Sequence, residues 1–201
     1  KCVSVTIENV PAFVDRLDAR LEVVGFGAVE ADIAYGGMFY ALVDATRLGF
    51  SIRPEEARDL AVLGERIRAA ARAQLEVVHP ENRDIRGVSI VQFNTPFTTA
   101  GGEARNTCIV APGRSDRSPT GTGLSARLAV LHARGLLREG ESFDHRSIIG
   151  SRFRGRIVRE TTCGGRPAIV PAITGRAWIT GTMTYLLDPD DPYPEGYVLS
   201  D

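Results

Sequence analysis

The spacing of apolar residues changes several times along the chain and divides it into elements. Val3-Ser4-Val5-Thr6-Ile7 alternates apolar with polar side chains, the period of a half-buried strand, and Asn9-Val10-Pro11 ends it. Leu21-Glu22-Val23-Val24 reads as a strand stopped by Gly25-Phe26-Gly27. Val29 to Ala34 and Phe39 to Val43 read as two more, joined at Tyr35-Gly36-Gly37 in a hairpin. The period then lengthens to that of a helix. Pro54 suits a first helical turn, and Glu55 and Glu56 put acid where the helix dipole favours it. Leu60, Leu63, Ile67, Ala70 and Gln74 step along one face, with Ala71 beside them. Arg58, Glu65, Arg66, Arg68 and Arg72 fill the other sides, as a solvated face does.

After His79-Pro80, Val88 to Phe93 and Thr107 to Val110 read as strands, separated by a Gly-rich stretch from Thr99 to Glu103. Leu124, Leu128 and Leu131 lie at i, i+4 and i+7, which predicts a second helix ending near Gly135. Ser147 to Val158, Ala168 to Val170 and Ala177 to Leu187 suggest further strands, and Asp188 to Gly196 an irregular tail. Many strands around two helices, without regular alternation, give the class α+β.

Composition narrows the field. At 201 residues and 43% apolar, the chain can build a core as one large domain or two small ones. Lys+Arg 24 against Asp+Glu 25 leaves a net charge of -1, which argues against broad binding of nucleic acid or an anionic membrane surface. No apolar run approaches the roughly 20 residues of a membrane span. Cys2, Cys108 and Cys163 are far apart and form no CxxC pair, and three histidines give no zinc-type spacing, so no metal is expected. A reducing cytoplasm is the expected compartment.

Candidate chemistry gathers at Asp116-Arg117-Ser118-Pro119-Thr120-Gly121-Thr122-Gly123, just before the second helix. A helix start leaves backbone N–H groups unpaired, and with the helix dipole these suit a carboxylate or phosphate. Thr120 and Thr122 can cap the helix or present hydroxyls, and Asp116 can accept a hydrogen bond from a ligand amine. An Asp-x-Ser-Pro turn followed by Thr also starts helices that bind nothing. The segment is neither a P-loop, since no Lys follows the glycines, nor a dinucleotide fingerprint, since the third glycine is missing.

This octapeptide resembles the second catalytic motif of the proline racemase family. Asp32 to Tyr40, Arg105-Asn106, Ile148 to Phe153 and Pro171 to Gly181 are similar to further landmarks of that family, in order, so the resemblance spans nearly the whole chain. It implies a diaminopimelate-epimerase-like fold, in which two α+β lobes face each other across a cleft. It also implies a cofactor-independent enzyme acting at the α-carbon of a proline-like imino acid. By this resemblance Asp116 holds the ring nitrogen, and the N–H groups of Gly121 and Thr122 bind the carboxylate. Thr120 stands at the second catalytic position, where racemases and epimerases have Cys.

A Thr hydroxyl is too weak an acid to alternate with a thiolate across the ring. The resemblance therefore points to the trans-3-hydroxy-L-proline dehydratases, in which one Cys takes the α-proton and the 3-hydroxyl leaves as water, giving Δ1-pyrroline-2-carboxylate. A proline racemase or 4-hydroxyproline 2-epimerase is the alternative, and a non-catalytic imino-acid-binding protein another. No cysteine is followed by Gly-His, as the family's first motif requires; Cys108 reads as core and Cys163 as part of a turn. His79 reads as a loop residue and His145 as part of a polar turn, while Trp178 and Phe153 read as core. The expected division is 1–172 as the second lobe and 173–201 as strands and tail returning to a first lobe that this chain lacks. Lys1 is on that reading an internal start, and the chain alone should show no turnover. A homodimer is compatible with such an enzyme, but no residue fixes an interface.

Overall fold

The computed structural model describes residues 2–199. Strands β1 (Val5–Glu8), β2 (Ala12–Val23), β3 (Gly27–Tyr35) and β4 (Phe39–Asp44) precede helix α1 (Ala57–Gln74). Strands β5 (Ile90–Asn94), β6 (Glu103–Val110) and β7 (Arg114–Ser115) lead to helix α2 (Gly121–Ala133). Strands β8 (Ser142–Arg146), β9 (Arg152–Cys163) and β10 (Arg166–Gly175) follow.

The strands form one sheet that closes on itself in the order β10-β2-β3-β4-β5-β6-β8-β9, with β9 pairing back to β10. Closure leaves eight strands in an α+β barrel. At the seam, Ala168 and Ile169 of β10 face Phe13 and Ala12 of β2, and β1 continues along the same edge from Glu8↔Ala172 to Val5↔Gly175. Pro11, with no N–H to offer a ladder, falls between β1 and β2.

Two helices cover the two faces of this sheet. Leu60, Leu63, Ile67, Ala70 and Ala71 of α1 pack outside, against Phe39, Ala41, Val43 and Ile109. Helix α2 threads the inside. Its Leu124, Leu128 and Leu131 meet Phe143, Ile157 and Ile169, and its Ala126 and Val130 meet Tyr40, Leu42 and Ile90. Phe39-Tyr40-Ala41-Leu42-Val43 is continuously apolar because alternate residues serve different helices. The leucine spacing predicts a one-sided helix, but α2 is buried all round from Gly123 to Leu131.

Several local expectations are corrected. Ser147 to Ser151 is a turn closed by the Ser147 N–H on the Ser151 carbonyl at 2.8 Å, so the strand begins only at Arg152. The preceding β8 is mostly polar, and the pattern does not reveal it. His145 lies fully buried in β8, and His79 is buried edge-on against the stacked rings of Phe13 and Tyr35. Gln74 is exposed; its side chain bonds both the N–H and the carbonyl of Glu22 on β2. Cys163 is the last residue of β9, buried with Sγ 3.7 Å from His79 Nε2. Ile173 to Gly175 continue β10, whereas Ala177 to Leu187 form no strand and stand exposed, with Trp178 under Arg176. Among the described residues no helix is long and apolar enough to cross a membrane.

Candidate active site

The loop before α2 is built around the Asp116 carboxylate. Asp116 N–H donates to the Cys108 carbonyl at 2.9 Å, tying the loop to β6. Asp116 Oδ1 accepts from Ser118 N–H at 2.8 Å; Oδ2 accepts from the hydroxyls of Ser118 at 3.0 Å and Thr120 at 2.7 Å. Ser118 Oγ in turn accepts from Thr120 N–H at 3.1 Å. A carboxylate offers about four lone-pair directions, so Oδ1 keeps one for an incoming N–H. Thr120 is held at φ 58, ψ 109, a conformation a β-branched residue rarely adopts.

From there α2 begins. Thr120 makes no side-chain cap, because its hydroxyl is committed to Asp116. Thr122 Oγ1 shares a 2.6 Å hydrogen bond with the Tyr40 hydroxyl. The N–H groups of Gly121 and Thr122 sit in the first turn, where a helix offers no acceptor. Asp116, Thr120, Gly121 and Thr122 thus come together, half-buried, in one short loop and helix start. Gly121 and Thr122 open on a cleft of about 350 Å³, walled by Val5 and Ile7 of β1, Phe153 of β9 and Ile173 of β10.

Surrounding elements fix this loop. Asn106 Nδ2 donates to the Pro119 carbonyl at 2.8 Å, and Ser151 Oγ donates to the Arg117 carbonyl at 3.1 Å. Asn9 Nδ2 reaches both the Gly36 carbonyl and Ser125 Oγ at 3.0 Å, and Ser125 Oγ donates to the Gly121 carbonyl at 2.9 Å. Asn9, Tyr40 and Ser118 carry little sequence signal, since each acts only through a partner distant in sequence or through the fold of its loop.

Cys108 lies just beneath. It is fully buried, its Sγ 3.3 Å from Gln92 Oε1, and burial pushes its thiol up to about 12 while the Thr120 hydroxyl acts the other way. A thiol so placed is neither exposed nor ionised at neutral pH, and so is inert. Native protein treated with iodoacetamide at pH 8 should therefore leave Cys108 unmodified, and unfolded protein should be labelled there, as peptide mapping by mass spectrometry would report. Among the described residues no cysteine lines the cleft.

A closed barrel surrounds an apolar helix, and an Asp-anchored loop presents the start of that helix to a cleft. The sequence profile described as proline racemase matches residues 1–198, and the chain belongs to that family. It is 43% identical, with a TM-score of 0.85, to the crystal structure of a probable proline racemase from Agrobacterium radiobacter with bound carbonate, covering 99% of this chain and 58% of that one. It is 45% identical, again with a TM-score of 0.85, to a hydroxyproline epimerase from Agrobacterium vitis with bound trans-4-hydroxy-L-proline, covering 100% of this chain and 57% of that one. The chain thus spans somewhat over half the length of these relatives.

Proposed function

We propose that this chain supplies one half of the site of a trans-3-hydroxy-L-proline dehydratase, a cofactor-independent hydro-lyase. The observation that carries this reading is Thr120, whose hydroxyl donates to Asp116 from the second catalytic position of the family's motif. An alcohol there is many pKa units too weak to exchange protons reversibly with an α-carbon, so racemisation from both faces lacks its second acid. Elimination needs only one base, with a hydrogen-bond partner for the departing oxygen.

On this reading the ring nitrogen donates to the open side of Asp116 Oδ1, and the substrate carboxylate meets the N–H groups of Gly121 and Thr122. A thiolate from the opposite face takes the α-proton. The electron pair left at the α-carbon expels the 3-hydroxyl, which departs as water once protonated, with Thr120 as its hydrogen-bond partner. The resulting enamine shifts a proton from nitrogen to carbon to give Δ1-pyrroline-2-carboxylate. Donors fixed before the reaction stabilise the charge that builds on the carboxylate as the α-carbon loses its proton.

The test is product analysis of the full-length protein with trans-3-hydroxy-L-proline. Loss of water to the pyrroline carboxylate is expected, with no epimerisation of trans-4-hydroxy-L-proline. The likeness to a hydroxyproline epimerase favours the second reading, an isomerase, and epimerisation without water loss would establish it instead. Thr120→Cys separates them further. In a dehydratase it should cut water loss by about tenfold or more while introducing proton exchange at the α-carbon of proline, read by deuterium uptake.

A further inference from the structure

At the other end of the barrel α2 borders a second cavity, of about 290 Å³. Arg127 and Val130 line it, six and nine residues beyond Gly121, or about 9 and 14 Å along the helix axis. None of Asp116, Thr120, Gly121 or Thr122 borders it. Leu42 and Val130 form part of its apolar wall, and Asp32, Asp44 and Asn94 join them from the inward faces of β3, β4 and β5.

The charges around this cavity are unevenly satisfied. Arg134 Nη2 binds Asp18 Oδ1 at 2.6 Å and Asp32 Oδ1 at 2.7 Å, and Arg47 pairs with Glu30. Arg127 has no such partner. It is only 6% exposed; Nη2 donates to the Thr95 carbonyl at 2.6 Å, Nε has no partner, and among the described residues it joins no ion pair. Burial lowers its pKa to about 10, with Asp44 and Asp32 acting in the opposite sense, so it stays charged at neutral pH. A buried guanidinium with carboxylates nearby but none in ion-pair contact among the described residues is costly, and a ligand carboxylate would relieve that cost.

The carboxylates have spare acceptors as well. Asp32 Oδ1 takes Asp18 N–H and Arg134, whereas Oδ2 makes no hydrogen bond among the described residues. Asp44 Oδ1 takes the N–H and hydroxyl of Thr46, and Oδ2 has only Arg47 Nε at 4.0 Å. A simple anion would meet four carboxylates (Asp18, Glu30, Asp32, Asp44) against three guanidiniums, and a simple cation would meet Arg127 unscreened.

We propose that this cavity binds a small aliphatic α-amino acid as its zwitterion, with the carboxylate on Arg127, the ammonium between Asp32 and Asp44, and the side chain against Leu42 and Val130. The site is separate from the catalytic loop.

Calorimetric titration of the full-length protein with L-valine, isovalerate and isobutylamine tests this. L-Valine should bind saturably, and each half-molecule should bind at least about tenfold more weakly. Asp116→Asn, in the catalytic loop, should leave L-valine binding intact, while Asp44→Asn and Arg127→Met should weaken it about tenfold or more. Should Arg127→Met fail to fold by circular dichroism, Asp44→Asn at the cavity rim decides alone. Absence of saturable binding, isovalerate binding as tightly as L-valine, loss of binding in Asp116→Asn, or unchanged binding in Asp44→Asn would each overturn the proposal.

Discussion

On the proposed function, replacing Asp116 by alanine in the full-length protein should lower kcat/KM for the imino acid by about three orders of magnitude while leaving the barrel folded. Two losses combine. One is the partner proposed for the substrate's ring nitrogen, a charge-assisted contact of a kind generally about twice as strong as a neutral one. The other is the geometry of the loop, because the carboxylate accepts from Ser118 N–H, Ser118 Oγ and Thr120 Oγ1 together. Without it Thr120, at φ 58, loses its side-chain anchor and keeps only the bond from its N–H to Ser118 Oγ, itself no longer fixed by the carboxylate. Displacement of a catalytic group by about 1 Å can alone cost about 100-fold. The loop is half-buried, and α2 below it is held by barrel packing, so thermal melting should change little. Asp116→Asn separates the two contributions, since the amide oxygen can still accept from the loop but carries no charge. A loss near 100-fold is expected there. Asn activity within tenfold of the native protein would mean that charge at this position is not used.

Much of this arrangement is legible in the sequence, and what is not has identifiable causes. The hairpin at Gly36-Gly37 and the run Phe39 to Val43 are visible because local pattern and tertiary burial agree there. The candidate-site loop is visible because Asp116, Ser118 and Thr120 bond one another within one turn. Strand β8 is hidden because its inward Phe143 and His145 flank Asp144, whose carboxyl is held low by the guanidinium of Arg154 and then Arg152, and no apolar alternation survives. His79 and His145 look like surface residues because their burial depends on strands distant in sequence. Ala177 to Leu187 shows the reverse error. Its apolar residues suit a strand, but among the described residues no neighbouring strand offers it a ladder. A periodic pattern reports a preference, and a partner decides whether it is realised.

The pair Gly36-Gly37 is also the mechanical support of the site, and Gly36→Ala should be among the most damaging single substitutions in the chain. A Cβ at position 36 would lie 2.2 Å from the Thr122 carbonyl oxygen and 2.5 Å from Ala126 N. Both are backbone atoms of α2, so no change of rotamer relieves the clash; the hairpin and the helix must separate by about 1 Å. The hairpin is fixed by its ladder and by Asn9 on the Gly36 carbonyl, and α2 is surrounded by the barrel wall, so neither has free space to move into. Overpacking of this kind costs about 3 kcal/mol. For a chain of this size that corresponds to a fall in Tm of roughly 6 to 12 °C. The separation acts on the first turn of α2, where the Gly121 and Thr122 N–H groups are, so the folded fraction should also lose about 100-fold in activity. Gly121→Ala is the contrasting case: a Cβ there meets nothing within 4 Å, and stability should stay within about 1 kcal/mol of the native protein. Melting curves of the two variants compare a glycine required by close approach with one that sterics leave free. Equal Tm values for both would show that α2 is not wedged against the hairpin.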